Sequence, residues 1–378
     1  MPKSNIFSSG EESRPLFNDE RSLYPEYLPE RLPHREPQIS ELVYAFKPVL
    51  SGLRPRNVFV YGSTGTGKTA TVRYVLRELE EHSQRAKSIY LNCFEFGSRQ
   101  SVLAAITNFL GIAVPRRGIG ADETYTKLLE GMKKCKFVPF IVLDEVDQLL
   151  SGNDGSKLLY DLLRITEYGK AYFGLIAISN DFSLSANLDP RVKSSLAEQS
   201  IVFERYSPKQ LKDILSQRSS LAFAEGSLEK DVIPLAAAHA AKLGGDARIG
   251  IECLWKAGKA AEKEGAEKVS VEHLRSAFSE IETSPGRKLL KHLDENQKIL
   301  VGILVEKDRL NSGELFREFN SRSKKKITDR RFREIASELA ESGLLKAIPQ
   351  VKGKRGKTRV FSLAVSKEFA KGELENKP

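Results

Sequence analysis

Asn57-Val58-Phe59-Val60-Tyr61-Gly62-Ser63-Thr64-Gly65-Thr66-Gly67-Lys68-Thr69 decides the fold of this chain. The apolar run Val58 to Tyr61 predicts a buried strand, Gly62, Gly65 and Gly67 predict a tight turn, and a helical pattern begins at Lys68. Strand, glycine-rich turn and helix in that order make a phosphate-binding loop. Glycines let successive backbone N–H groups wrap a polyphosphate, and the helix N-terminus adds the positive end of its dipole. The nucleotide-binding set is therefore Gly62, Ser63, Thr64, Gly65, Thr66, Gly67, Lys68, Thr69 and Ala70, with Lys68 reaching the β and γ phosphates and the Thr69 hydroxyl ligating Mg²⁺.

Outward from the loop, Ala70 to Glu81 continues as helix, Ser88 to Leu91 reads as a strand and Val102 to Leu110 as an amphipathic helix. Upstream, Tyr24 to Gln38 carries prolines that forbid helix and favour an extended strap, and Ile39 to Leu50 is helical. Alternation of strand and helix argues for a parallel sheet covered on both faces. A second apolar strand, Phe137 to Asp147, ends in Asp144 and Glu145, 76 residues beyond Lys68. The carboxyl end of such a strand is where open α/β sheets place ligands. Asp144 would hold Mg²⁺ through water and Glu145 would orient and deprotonate an attacking water for in-line phosphoryl transfer, ATP and water giving ADP and phosphate. A third strand, Phe173 to Asn180, leaves Asn180 either beside the γ-phosphate or simply opening a turn. Gly111 to Ala121 interrupts two helices with Arg116 and Arg117 at its tip, as solvated charges or as a second phosphate contact.

The 378 residues are 40% hydrophobic and 29% charged, with no apolar run of membrane-spanning length and no secretory leader. Three scattered cysteines exclude a zinc site of paired cysteines and a disulfide framework, so the expected setting is intracellular, reduced and without a membrane partner. From Gly286 onward 23 Lys and Arg face 13 Asp and Glu, whereas the first 285 residues hold 37 of each, so the whole net charge of +10 falls in the last quarter. That quarter also has apolar periodicity, which points to a folded basic domain facing nucleic acid.

Ser207-Pro-Lys-Gln210 is a capping box that starts a run of purely helical periodicity ending near Ile281. After a linker at Thr283 to Gly286 come helices expected at Lys288 to Glu306, Ser312 to Phe319 and Asp329 to Glu341, a Gly343 cap, and two strands, Leu344 to Ile348 and Arg359 to Leu363. Three helices and a basic hairpin are the winged-helix pattern, which serves either DNA or protein partners. The third helix offers Arg330, Arg331 and Arg333 to a major groove, and the hairpin offers Lys352, Lys354, Arg355, Lys357 and Arg359 to phosphates or a minor groove.

Together these residues resemble the archaeal-type origin recognition and cell-division-cycle helicase-loader initiators, a branch of the AAA+ ATPases. The resemblance rests on Leu32-Pro-His-Arg-Glu-Pro-Gln38, the glycine loop, Asp144-Glu145, Asp189-Pro-Arg-Val-Lys-Ser-Ser-Leu196 and Gly245-Asp-Ala-Arg248. It implies an α/β fold in which a five-stranded parallel sheet between helices carries an α-helical lid and a C-terminal winged helix. The implied domains are an N-terminal arm over residues 1–22, an AAA+ domain over 23–206 with an initiator insertion at about 109–124, a lid over 207–284 and a winged helix over 285–378. Asn180 resembles the sensor that positions the hydrolytic water, Arg248 the lid sensor at the γ-phosphate, and Arg191 the arginine finger that completes a neighbour's site. Arg248 precedes Ile249-Gly250, where many relatives have another basic and a bulkier apolar residue, and Ser63 stands where relatives often have Lys. The implied partners are double-stranded origin DNA, other initiator protomers or paralogues, and the replicative helicase, in a cytoplasmic, nucleoid-associated setting. ATP and ADP would act as a slow switch. A nucleotide-gated transcription regulator, and a clamp-loader-like or mobile-element helper directed at proteins, are the rival readings.

Overall fold

The computed structural model describes residues 16–116, 118–150, 155–169, 172–181, 184, 192–193, 196, 199–282, 290, 293–323, 326–351, 357–365, 370–371 and 374. The chain forms two compact units, one of residues 28–205 and one of residues 1–27 with 206–378.

The first unit holds strands β1 (Val58–Gly62), β2 (Ala86–Asn92), β3 (Val138–Asp144), β4 (Gly174–Ser179) and β5 (Gln199–Phe203), all parallel and ordered β2-β3-β4-β1-β5. Successive side chains point to opposite faces of a strand. Val58, Val60, Val142, Ile176 and Ile178 therefore pack on one side with Leu42, Phe46, Val72 and Val75 from helices α1 (Glu36–Phe46) and α2 (Lys68–His82). On the other side Phe59, Ile141, Leu143, Leu175 and Ala177 meet Val102, Ile106, Leu128, Leu158 and Leu162, from helices α3 (Arg99–Phe109), α4 (Ala121–Lys134) and α6 (Gly155–Gly169). A short α5 (Val146–Leu150) follows β3. The expected extended strap ends sooner than its prolines imply, because Pro37 sits in the first turn of α1, where its missing N–H costs nothing. The chain after α1 then tightens into a 3-10 turn, Lys47–Ser51, closed by Gly52 at φ 74°.

In the second unit, helices α7 (Pro208–Ala222), α8 (Val232–Lys242), α9 (Ala247–Glu264) and α10 (Val271–Glu282) form the lid. Ser207 accepts from the Gln210 amide and Gln210 returns the bond, with Pro208 at the first helical position. Gly250 of α9 lies where a Cβ would come within 2.8 Å of Leu215, so the departure at that position is a close helix crossing. The expected arm over residues 1–22 is different from residue 16 onward, while residues 1–15 lie outside the described residues. Leu16 and Leu23 are buried in the lid core, the amides of Asn18 and Asp19 donate to the Ala222 carbonyl, and Phe17 stacks on Phe223 at 4.6 Å. Glu20 accepts from Trp255 Nε1 at 2.8 Å and from Lys259 Nζ at 2.6 Å. Buried Arg218 donates to the carbonyls of Tyr24 and Tyr27 and stacks on the Tyr27 ring, and burial pulls its pKa down to about 10, still charged at neutral pH.

The winged helix comprises α11 (Glu295–Lys307), β6 (Arg309–Asn311), α12 (Ser312–Arg322), α13 (Asp329–Glu341), β7 (Leu345–Val351) and β8 (Lys357–Leu363), with an antiparallel sheet ordered β6-β8-β7. Leu300, Leu304, Phe319, Phe332 and Phe361 fill its core. Helix α11 begins at Glu295, where Asp294 and Gln297 cap it reciprocally, while the expected start at Lys288 lies outside the described residues. Pro349 is tolerated inside β7 because β7 is an edge strand. Gly343 adopts φ 76°, the left-handed stop expected after α13.

A Cβ at Gly258 of α9 would fall 2.3 Å from Phe17 and 2.9 Å from Phe223. Gly258→Ala should therefore expel the segment around Phe17 at a cost of ~1–3 kcal/mol, read as faster tryptic cleavage after Arg21 and a lower urea midpoint. Unaltered cleavage would mean that the aromatic pair shifts to make room.

Candidate functional site

Three strand ends and one loop build the site. Gly62, Gly65 and Gly67 have φ of 157°, 70° and 85°. The last two require glycine by backbone conformation, and Gly62 requires it by space, since a Cβ there would lie 2.3 Å from the Phe203 carbonyl oxygen. At the head of α2 the Lys68 side chain is buried and its ammonium donates to the carbonyls of Gly62 at 2.8 Å and Ser63 at 2.7 Å and to Asn180 Oδ1 at 2.9 Å. Asn180 lies just past β4, so the loop after β1 and the end of β4 are joined through one charge. Next to it, the Thr69 hydroxyl donates to Asp144 Oδ2 at 2.7 Å, which brings in the end of β3.

Asp144 Oδ1 accepts the Glu145 amide at 2.9 Å, and Glu145 itself has φ 55°. A non-glycine residue in the left-handed region costs on the order of 1 kcal/mol and turns the side chain away from the strand direction. Burial pushes the Asp144 carboxyl above its ordinary range, against the lowering influence of the Thr69 hydroxyl and the Glu145 amide. A buried acid beside a hydroxyl, both hard oxygen donors, is the chemistry that suits Mg²⁺, so these residues fit the metal expected here. Behind them Ser179 Oγ donates to Asp147 Oδ1 at 3.2 Å and accepts the Asp181 amide, fixing the turn that aims Asn180. The nearby Cys93 thiol is pushed up to about 12, first by burial and then by Asp147 and Glu145, which keeps it neutral.

Arg35 was legible only as part of the strap. The structure buries it under the loop, donating from Nε to Thr66 O, from Nη1 to His34 O and from Nη2 to Glu204 O, each at 2.9 Å, with its guanidinium 5.3 Å over the Phe203 ring. Arg205 Nε donates to Ser63 Oγ at 3.2 Å. An arginine on carbonyl or hydroxyl oxygens leaves no charge pattern in the sequence, which is why neither contact could be read there.

Other expected residues stand elsewhere. Arg248 is in the lid unit, in the first turn of α9, where Asp246 accepts its backbone amide, Nε and Nη2. Arg116 lies 4.6 Å over the Phe96 ring and 3.4 Å from Glu95. The loop behind it is closed by Asn108, whose amide group pairs with both the N–H and the carbonyl of Val114 at 2.8 Å. Arg330, Arg331 and Arg333 project from α13 and are ion-paired with Glu334, Glu338 and Asp329. Exposed Arg359 reaches Ser337 Oγ at 3.5 Å. Arg117, Arg191, Lys352, Lys354 and Arg355 lie outside the described residues, as does the side chain of Lys357.

Residues 53–180 match the family described as AAA domain, and residues 212–279 match the Cdc6 AAA+ ATPase-type lid domain. The chain is 38% identical to the ORC1-type DNA replication protein 1 of Sulfurisphaera tokodaii, over 96% of this chain and 94% of that one. It is 39% identical to the ORC1-type DNA replication protein of Thermococcus kodakarensis, over 97% of this chain and 93% of that one. Among solved structures it is similar to the Aeropyrum pernix ORC1 protein in complex with DNA, with a TM-score of 0.72, 36% identity, and coverage of 96% of this chain and 97% of that one. Cdc6p from Pyrobaculum aerophilum, 23% identical with a TM-score of 0.65 over 95% of this chain and 99% of that one, shares the fold. Among the described residues no helix is long and apolar enough to cross a membrane.

A raised folded pKa means that the native state holds the Asp144 proton more tightly than the unfolded chain, so the ionised carboxylate burdens the empty fold above the carboxylate range, and the burden fades as pH falls through it. Asp144→Asn should then keep or raise the thermal midpoint of the nucleotide-free protein at pH 7, and lose the extra stabilisation that ATP with Mg²⁺ gives the native protein. A lower midpoint without nucleotide would show that the bonds to Thr69 and Glu145 outweigh the burial penalty.

Proposed function

The chain belongs to the family of ORC1-type DNA replication proteins, and from that premise we propose how its residues serve a replication initiator that carries an AAA ATPase domain. ATP is the ligand of the loop from Gly62 to Ala70, and hydrolysis is slow, setting a state rather than driving turnover. On polyphosphate entry Lys68 exchanges the carbonyls of Gly62 and Ser63 for the β and γ oxygens, while the glycine-loop amides take the remaining charge. Thr69 and Asp144 are the residues that would hold Mg²⁺, which when bound neutralises charge on the phosphate oxygens. Released from Lys68, the Asn180 amide orients the attacking water, and Glu145, aimed by its left-handed backbone, takes the water's proton. Arg248 reads the γ-phosphate from the lid, and Arg191 completes the site of a neighbouring protomer.

The nucleotide state governs how DNA is gripped. Helix α13, the hairpin from Lys352 to Arg359 and the insertion bearing Arg116 and Arg117 are the elements that engage duplex origin DNA, with α13 in a major groove and the hairpin on phosphates. Other initiator protomers and the replicative helicase are the protein partners. The observation that carries the reading is the joining of Lys68 to Asn180 and of Thr69 to Asp144, which gathers the nucleotide machinery at the ends of β1, β3 and β4.

Glu145→Gln should leave ATP bound and slow hydrolysis by ~10²–10⁴-fold, measured by phosphate release at saturating ATP; ordinary turnover would place the base elsewhere. For the DNA reading, with about five phosphates engaged, log K against log[salt] should fall with a slope of about −4 to −5. A slope near zero would remove duplex DNA as the partner.

A further inference from the structure

The exposed face of α13 is not the basic surface that its arginines imply. Asp329, Glu334, Glu338 and Glu341 outnumber Arg330, Arg331 and Arg333 on this helix, although the last quarter of the chain carries the whole net charge of +10. The surplus lies in the run Lys324 to Lys326 before the helix and in the hairpin after it. Each arginine of α13 is matched within its own helix. One carboxylate serves two of them, Glu334 Oε1 accepting Arg330 Nε at 3.2 Å and Oε2 accepting Arg331 Nη1 at 3.2 Å. Arg333 pairs with Asp329 at 2.6 Å.

Arg330 and Arg331 in the first helical turn oppose the helix dipole, and the carboxylates relieve that conflict. Helix stability alone would be served by carboxylates at any neighbouring position. Glu334 instead spans both guanidinium groups with separate oxygens, which fixes where they point and cancels their pull on distant phosphates.

We propose that Glu334 is a specificity-determining residue of the DNA-binding surface, bracing Arg330 through Nε and Arg331 through Nη1 so that their remaining N–H groups meet a base edge with the pair intact, whereas reaching for a phosphate breaks it. The inference rests on the reading of α13 as the groove-binding helix. Magnitudes favour it. Breaking an exposed pair of this kind shifts an equilibrium by about twofold, a cost that falls on phosphate contacts alone. A bidentate arginine on guanine discriminates by about 5- to 150-fold, and a braced guanidinium keeps that discrimination undiminished. The Glu334 carboxyl is held below the usual range by Arg331 and Arg330, so it stays ionised through the neutral range.

The test uses the full chain with ATP and Mg²⁺ and two probes, a duplex recovered by the native protein from genomic fragments and a random duplex of equal length, each titrated by fluorescence anisotropy at several salt concentrations. Glu334→Gln should bind the random duplex about two- to fourfold tighter, with a salt slope steeper by about 1, and the ratio of selected to random affinity should shrink. Glu334→Asp, which keeps the charge but cannot span both arginines, should keep the native affinity for the random duplex while losing part of the ratio. Native affinity and slope for the random duplex in Glu334→Gln would overturn the proposal while leaving the initiator reading standing. Failure of the native protein to bind either duplex at any salt would remove the DNA reading itself, and this inference with it.

Discussion

A buried ammonium cannot be left without oxygen partners, and that constraint on Lys68 shapes the nucleotide site. Its three acceptors come from the loop after β1 and from the end of β4, and the adjacent Thr69 draws in the end of β3. The loop thus holds its shape through contacts that a polyphosphate can replace one for one. The left-handed Glu145 belongs to the same economy, since its backbone is set by the amide bond to Asp144 before any ligand arrives.

Two kinds of arginine are used in this chain. Arg35 and Arg218 are buried and bind backbone carbonyls, so their contacts are short-ranged and insensitive to salt. Those of α13 are exposed and bind carboxylates, so their contacts weaken with ionic strength. Buried arginines set the architecture, and exposed ones remain sensitive to the surrounding ions. Counting charge along the chain cannot distinguish the two, because the decisive variable is the partner.

Much of the first unit was legible because its signals are local. Glycines at Gly62, Gly65 and Gly67, apolar runs at β1, β3 and β4, and the capping box at Ser207 each specify structure within a few residues. What stayed hidden has distant partners. Arg35 meets Glu204 across 169 positions and Asn18 meets Phe223 across 205, and no periodicity announces either. Strand β6, three residues long, takes its identity from pairing with β8 and could not be seen without it. The early end of the strap was settled by Pro37 in the first turn of α1, and the start of α11 by the Asp294 cap, both against weaker propensity signals. The basic excess of the last quarter does not extend to α13, where four acidic residues face three arginines, and net charge says nothing about pairing within a helix turn.

The seating of Leu16 to Tyr27 on the lid has a consequence for the order in which the protein is made. These residues leave the ribosome ahead of the segments that receive them, Ala222, Phe223 and Trp255, which come roughly 200 positions later, about 10–40 s at ordinary elongation speeds. The ATPase unit between them is complete once β5 has emerged, and its two ends are already tied where Arg35 grips Glu204. The nascent N-terminal segment must wait, apolar and unsatisfied, with Leu16, Phe17 and Leu23 exposed, until the lid is synthesised. A domain inserted within another in this way gives the growing chain a built-in sequence of assembly, the nucleotide unit first and the lid core afterwards.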